Sequence, residues 1–505
     1  MGSHLVRRRS LAAFATVAML AVAGCSGGAK SETVTTHSLR IGATAEPQSM
    51  DPTTTAGAAI QQALLYNVYE TLVKIDGEGK LKPLLAQTWQ TSPDRLTYTF
   101  QLQPRAKFAT GDPVDAAAVV ANINRVRTES KIFKGQMAVV ASATATDATT
   151  VTVKLTHPSQ SWLYDMAQGA GIIADPKSFS TLSTKPVASG PFALGSWSKG
   201  QKVELTRNKD YWGTASRFDT VDFRYFADAN AMSSAMLSGD LDIISDLTTP
   251  EALGKFSDAS KYTVTEGTTN GEVVLGMNQG KGGNPALQNV KVRQAINHAI
   301  NRQALLDAVW GGKGSMIGSM VPPTDPWYED LSKTYPYDPA KAKALLAEAG
   351  VKNLTLRLRV PMLPYAPSSA QFIQSQLKAV GITVVVEELD MARWLSDVFM
   401  GANDYDMTIV NHVEPRDIVK FADPAYYWHY NNPAFTKLVT DADQADDAKY
   451  IADMLAAGKL LATDAAADFL WLFPHIVVSK AEISGIVANQ ASPSFDVTTL
   501  ASRNG

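Results

Sequence analysis

From Leu39 onward, segments in which apolar and polar residues alternate are interleaved with segments that repeat every three to four positions. Between 96 and 102, Leu96, Tyr98, Phe100 and Leu102 fall on one face of an extended chain and Thr97, Thr99 and Gln101 on the other. The same period of two predicts strands at 151–155, 202–206 and 354–360, and a short apolar strand at 39–43. A further strand is expected at 382–389, where the centre is almost continuously apolar. Helical spacing appears between these segments. Asp338 and Pro339 supply an N-cap and a first-turn proline, Ala342, Leu345, Leu346 and Ala349 form the stripe, and Gly350 stops it. A longer helix is predicted over 290–309, with Val292, Ala295, Ile296, Ala299 and Ile300 as its apolar stripe and Gly311 and Gly312 as its stop. Mixed strands and helices without an internal repeat predict an α/β protein of several lobes.

Length and cysteine content refine this picture. The chain has 505 residues, more than one ordinary core supports. Its 45% hydrophobic and 19% charged residues fit a globular protein. The single cysteine, Cys25, excludes an internal disulfide and a cysteine-based zinc site. Its surroundings give it another purpose. Arg7, Arg8 and Arg9 form a basic start, 11–20 form a short apolar run, and Val22-Ala23-Gly24-Cys25 closes it with small residues. Residues 1–24 therefore read as a signal peptide, too short for a comfortable membrane span. Val-Ala-Gly-Cys is similar to a bacterial lipobox, which predicts lipidation of Cys25 and a tether over 25–37. A plain signal peptide with an incidental cysteine is the alternative. Loss of the three arginines changes the net charge from −3 to −6, leaving 43 basic residues against 49 acidic ones. That balance argues against a nucleic-acid partner.

Catalytic motifs are not evident. Gly276 to Lys281 is one residue short of a phosphate-binding loop and lacks the following Ser or Thr. Gly195 to Gly200 has the right gap but is followed by Gln201. Gly314 and Ser315 do not complete a nucleophile elbow. His157, His298, His429 and His475 are scattered without metal-ligand spacing. These glycines suit turns and strand ends better than chemistry. These residues offer no enzyme chemistry, and neither a cofactor nor a metal site is expected.

Ordered short motifs then define a resemblance. Ala45-Glu-Pro-Gln-Ser-Met-Asp-Pro52 follows the first strand, and Asn67-Val-Tyr-Glu-Thr-Leu-Val73 follows it. Phe108-Ala-Thr-Gly-Asp-Pro113, Gly190-Pro-Phe192, Asn208-Lys-Asp-Tyr-Trp212, Val292-Arg-Gln-Ala-Ile-Asn297 and Tyr337-Asp-Pro-Ala-Lys-Ala342 come next in order. The chain resembles solute-binding protein family 5, the peptide, dipeptide and nickel binders of ABC importers. The resemblance implies an α/β, two-lobe, periplasmic-binding-protein-like fold of the Venus-flytrap, cluster C type, with an extra subdomain inserted in the first lobe. Lobe I is expected at 38–55, 172–265 and 478–505, the inserted subdomain at 56–171, and lobe II at 266–477. A closing cleft can bury most of a flexible polar ligand and lend it backbone donors and acceptors. The implied partners are a small peptide or peptide-like ligand, the ABC permease and ATPase subunits, and the outer face of the cell membrane through the lipid on Cys25. A monomer is expected.

The site implied by the resemblance centres on the loop Asn411-His-Val-Glu-Pro-Arg-Asp417. Glu414 aligns with the acid that pairs with a peptide's α-ammonium in family peptide binders, where burial of both charges compensates both. Glu414 paired with Arg416 at the cleft rim is the competing reading. Leu363 stands where dipeptide binders carry an arginine, so a clamp for a ligand carboxylate would need Arg416 or Arg359, and a longer peptide or a non-peptide ligand fits this absence better. His412 could complete a metal–chelate complex but cannot hold a metal alone. Asn411 stands where a tryptophan is usual. Trp394, Tyr365 and Tyr427 are candidate aromatic walls, with core packing as their alternative. An opine or amino-acid conjugate, a nickel–chelator complex, an oligosaccharide or haem stay open as ligands, as does a sensor or scaffold that no longer serves import.

Overall fold

The computed structural model describes residues 37–55 and 57–503. The signal peptide over 1–24, Cys25 and all of the tether but its last residue lie outside the described residues.

One ten-stranded sheet organises the chain. Its order is Thr383–Leu389, Thr355–Pro361, Met407–His412, Tyr262–Met277, Ala467–Lys480, Ile243–Ile244, Ser38–Ala43, Thr220–Tyr225, Lys202–Arg207 and Phe192–Ser198. The two long central strands, Tyr262–Met277 and Ala467–Lys480, run antiparallel and divide the sheet into two halves. Residues 262–268 pair with 474–480 in the first half, and 272–276 pair with 467–472 in the second. Between these blocks the register shifts, opposite Phe473 and Pro474. Pro474 lacks the N–H that a continuous ladder needs. Gly271 fits there because a Cβ would lie 3.3 Å from the Cβ of Phe473 and 2.8 Å from Thr269 Oγ1. The chain thus bends where its two halves meet, by means encoded in two residues.

Each half buries both faces of its sheet. In the second half, Val273 and Leu275 join a core with Ile296, Leu305, Leu356 and Ile373. Val274, on the opposite side, packs with Trp327, Tyr405, Phe421, Trp428 and Phe469. In the first half, Val477 meets Leu39, Ile41, Val203 and Phe223, while Ile476 and Val478 meet Met232, Met236 and Leu241. Ala467–Lys480 is therefore largely apolar on both sides, as expected of a covered strand, whereas Tyr262–Met277 is so only from Val273 onward.

A separate four-stranded antiparallel sheet orders as Ala86–Thr91, Thr97–Leu102, Thr150–Leu155 and Val140–Ala145. The alternation read at 96–102 places Tyr98, Phe100 and Leu102 inside, and Thr97, Thr99 and Gln101 half-exposed. The helix Ala116–Glu129 covers this sheet, starting where Asp115 accepts from the Ala118 N–H. Phe100, Val119, Ile123, Val151 and Trp162 form its own core.

The remaining predicted strands lie within one or two residues of their expected positions. The helix Pro339–Glu348 carries Asp338 as its side-chain cap, accepting from the Lys341 N–H. The single helix expected over 290–309 is a correction: two helices, Val290–Ala299 and Arg302–Trp310, occupy the segment. Ile300 is extended, and Asn301 caps the second helix by accepting from the Ala304 N–H. The Asn301 N–H donates to Gln376 Oε1, which anchors the break. The apolar stripe runs across this corner because both helices pack on one core.

Candidate functional site

The strand Met407–His412 ends beside the junction of the two halves, pairing Asn411 with Val273 and His412 with Glu272. Successive side chains on a strand point to opposite faces. The loop candidates are separated accordingly.

On one face the Asn411 N–H donates to the Tyr365 hydroxyl at 2.8 Å. The Tyr365 ring stands edge-on to Phe473, 5.1 Å between centroids. Asn411 Oδ1 finds no partner and lies close to Gly271. Tyr365, Asn411 and Phe473 thus gather at the bend itself.

On the other face His412 is buried, with Nε2 2.9 Å from the Tyr427 hydroxyl. Burial, helped by the charge of Lys420, pushes the imidazole down to about 3, so it is neutral at ordinary pH. Tyr427 packs on Phe399 and Trp428 with centroids 5.0 and 4.8 Å away. Trp394 is buried on the same side, donating from Nε1 to Thr408 Oγ1 at 3.0 Å and stacking on Phe399. Trp394 packs against Phe399 there, and the Tyr427 hydroxyl reaches the polar group around His412.

The loop after the strand sends its two charged candidates in different directions. Glu414 has 68% of its side chain exposed and pairs with Lys420 at 3.3 Å. Arg416 turns inward, 16% exposed. Its backbone sits in the left-handed region at φ 59°, which a non-glycine residue adopts at a cost of order 1–3 kcal/mol. The guanidinium lies 3.5 Å from the Tyr164 ring centroid and 5.1 Å from that of Trp327. Its Nε is 3.9 Å from Asp325 Oδ1. Glu414 and Arg416 are therefore not partners in this structure.

Three carboxyls that the sequence reading did not select lie near one another here, and Asp325 is the one beside this arginine. Glu272, Asp325 and Asp417 are 1%, 7% and 3% exposed. Each keeps one oxygen without a hydrogen-bond partner: Glu272 Oε2, Asp325 Oδ2 and Asp417 Oδ1. Asp417 Oδ2 is 3.9 Å from His412 Nδ1, and Glu272 faces His412 across the sheet. Burial raises all three carboxyls. Asp325 moves to about 7, against the pull of Arg416. Glu272 is raised well above the carboxylate range, first by burial and then by Asp417 and Asp325. Asp417 is raised likewise by burial and by Glu414, with Lys420 opposing. Asp417 stood inside the loop already singled out. Glu272 had one legible sign, an acid opening the apolar run Val273, Val274, Leu275.

Contacts also tie the four-stranded unit to the second half of the main sheet. Asp443, in the helix Pro433–Gln444, accepts from Ser159 Oγ, the Gln160 N–H and the Ser161 N–H at 3.1, 3.1 and 2.9 Å. Gln160 Nε2 donates to Ala445 O and Asp447 Oδ1. With Arg416 on Tyr164, these bonds form a latch. A pocket of about 200 Å³ opens along it, lined in part by Ser159, Asp165 and Asp443. Among the described residues, no group of three or more His, Cys, Asp or Glu is arranged to hold a metal ion, and no helix is long and apolar enough to cross a membrane.

Two sheet halves joined by paired crossing strands, with polar groups gathered where they meet, form an arrangement that can enclose a ligand. The comparisons agree. Residues 80–434 match the family described as bacterial extracellular solute-binding proteins, family 5 Middle. The glutathione-binding protein GsiB of Escherichia coli K12 is 29% identical over 353 residues, 68% of each chain. An ABC transporter peptide-binding protein of Brucella abortus is 32% identical over 354 residues, 66% of each. The crystal structure of NikA from Brucella suis with Fe(III)-EDTA superposes with a TM-score of 0.81 at 22% identity, covering 92% of this chain and 99% of that one. DppA from Helicobacter pylori with the peptide STSA gives 0.76 at 24%, covering 93% and 99%. The chain belongs to solute-binding protein family 5. It is an extracytoplasmic substrate-binding protein of an ABC transporter and not an enzyme.

Proposed function

We propose that this chain is the lipid-anchored receptor of an ABC importer, capturing a small peptide or peptide-like ligand between two lobes and delivering it to the permease and ATPase subunits. The observation that carries this reading is the set of buried polar groups at the junction, overlaid by the latch of Arg416 on Tyr164 and Asp443 on Ser159, Gln160 and Ser161. A latch of this kind suits a cleft that closes over its ligand. The proposed lobes keep the bounds given above, with 56–171 as the inserted subdomain.

Arg416, Asn411, Tyr365, Tyr427 and His412 are proposed to meet the ligand or to position groups that do. Glu414 and Trp394 are proposed at its margin. A peptide is preferred to a metal chelate because His412 already engages the Tyr427 hydroxyl and is buried. Relatives are named for glutathione and for peptides, which supports the same class. The anchor is proposed on Cys25.

Native mass spectrometry of the protein, before and after mild denaturation, tests the ligand. A released small molecule with a free amine is expected, and a metal-containing adduct would refute the peptide reading. Cys25→Ser should abolish diacylglyceryl labelling, and labelling that persists would refute the anchor.

A further inference from the structure

Glu272, Asp325 and Asp417 come from three different segments: a crossing strand, the loop before Trp327, and the start of the 3-10 helix Asp417–Ala422. All three are more than nine-tenths buried, and each has an oxygen that no donor reaches. A buried carboxyl oxygen left without a donor costs about 1–3 kcal/mol, more if charged. A folded core has no reason to hold three together unless a donor arrives from outside.

The charge balance indicates what that donor is. Arg416, 3.9 Å from Asp325, is the guanidinium that reaches the cluster. His412 contributes no charge, for it is held neutral by its burial. Lys420 pairs with Glu414 and also faces Asp417. Once ionised, these three carboxyls and Glu414 face two cations, Arg416 and Lys420, which leaves two negative charges without a counter-charge. The carboxyls are not gathered tightly enough to grip a metal ion. Their spread suits a larger organic cation, whose N–H groups point in several directions.

We infer that the ligand is basic: it brings two positive charges, an ammonium and a second ammonium or a guanidinium, and Glu272 with Asp417 receives the second of them. This rests on the receptor reading above and names the ligand's charge class. Specificity then comes from the penalty on neutral ligands. These would close the cleft over two uncompensated carboxylates, or over carboxyls kept protonated at the expense of the contact.

The test presents an equimolar pool of di- and tripeptides to the wild-type protein, to Glu272→Gln and to Asp417→Asn, with bound species read by native mass spectrometry. The wild type should enrich peptides bearing Lys or Arg at least tenfold over Gln and Met counterparts. Each variant should lose that preference to threefold or less while still binding neutral peptides, which also shows that it folds. Enrichment of neutral or acidic peptides by the wild type would overturn the inference and leave the peptide receptor standing. Undiminished enrichment in both variants would overturn the role of Glu272 and Asp417. If no peptide binds, agmatine and spermidine are tested by thermal shift. A rise in melting temperature would keep the basic ligand and refute the peptide, and no rise would overturn both.

Discussion

Glu70 and Glu272 are two glutamates of equal burial, each 1% exposed, in different halves of the molecule. Glu70 accepts from the Tyr211 hydroxyl at 2.7 Å and from Trp212 Nε1 at 2.9 Å. Glu272 leaves Oε2 without a donor and has Asp417 and Asp325 as charged neighbours. Burial raises Glu70 only to about 7, because its hydrogen bonds oppose the shift. Glu272 has only its own backbone N–H to oppose the shift, and its acidic neighbours add to it. The contrast separates a carboxyl that completes the fold from one that the fold leaves incomplete. The first is accounted for by stability and the second calls for a ligand.

The largest effect should come from breaking the satisfied site. Glu70→Ala strands the Tyr211 hydroxyl and the Trp212 indole. At about 1–3 kcal/mol for each group left unpaired, it should lower stability by roughly 2–6 kcal/mol, read as an earlier midpoint in chemical denaturation. Ligand affinity should change less than threefold. A large affinity loss without a stability loss would reverse the comparison.

Next in size is the latch. Asp443→Ala removes the acceptor of three donors and favours the open form. Affinity should fall about tenfold, and small-angle scattering should report a larger ligand-free radius of gyration. An unchanged radius and affinity would show that the latch does not bias closure.

The pH response follows from the same carboxyls. Their folded-state values are raised above the unfolded carboxylate value, so their contribution to stability is complete below about pH 4. For Asp325 it is lost as pH rises through about 7, the value to which that group is pushed, and Glu272 and Asp417 are raised in the same direction. The facing groups are Arg416 and Lys420, neutral His412, exposed Glu414, and the Tyr426 and Tyr427 phenols, raised by burial. Ligand-free stability should therefore decline from pH 5 to pH 8, while affinity for a basic peptide should rise as the carboxyls ionise to meet it. A flat affinity profile would mean that the cluster does not touch the ligand.

The smallest effect is expected at Glu414, whose side chain is mostly in solvent beside Lys420. Glu414→Gln should alter affinity less than threefold by calorimetry. A tenfold loss would restore it as the ligand's acidic partner.

Much of the fold was legible because its signals are local. The alternation at Tyr98, Phe100 and Leu102 and the Asp338–Pro339 cap each act within a few residues. The helix break at Ile300 was not, since the apolar stripe continues through it and only Asn301 marks the corner. The site was partly legible. The 411–417 loop was singled out from the sequence, and in the structure Asn411 and His412 lie beside the junction. That Glu414 points to solvent and Arg416 inward depends on which way the loop turns, which the left-handed backbone at Arg416 helps to set. Glu272 and Asp325 lie about 90 to 145 positions away from that loop in sequence, and only strand register and tertiary packing bring them to it.

The most direct measurement is ligand-free chemical denaturation at pH 8 of Glu70→Gln and Glu272→Gln, side by side. The account predicts opposite signs: Glu70→Gln loses about 1–3 kcal/mol, and Glu272→Gln gains about 1 kcal/mol by removing an uncompensated buried acid. If Glu272→Gln destabilises the protein as much as Glu70→Gln does, Glu272 belongs to the fold and not to the ligand.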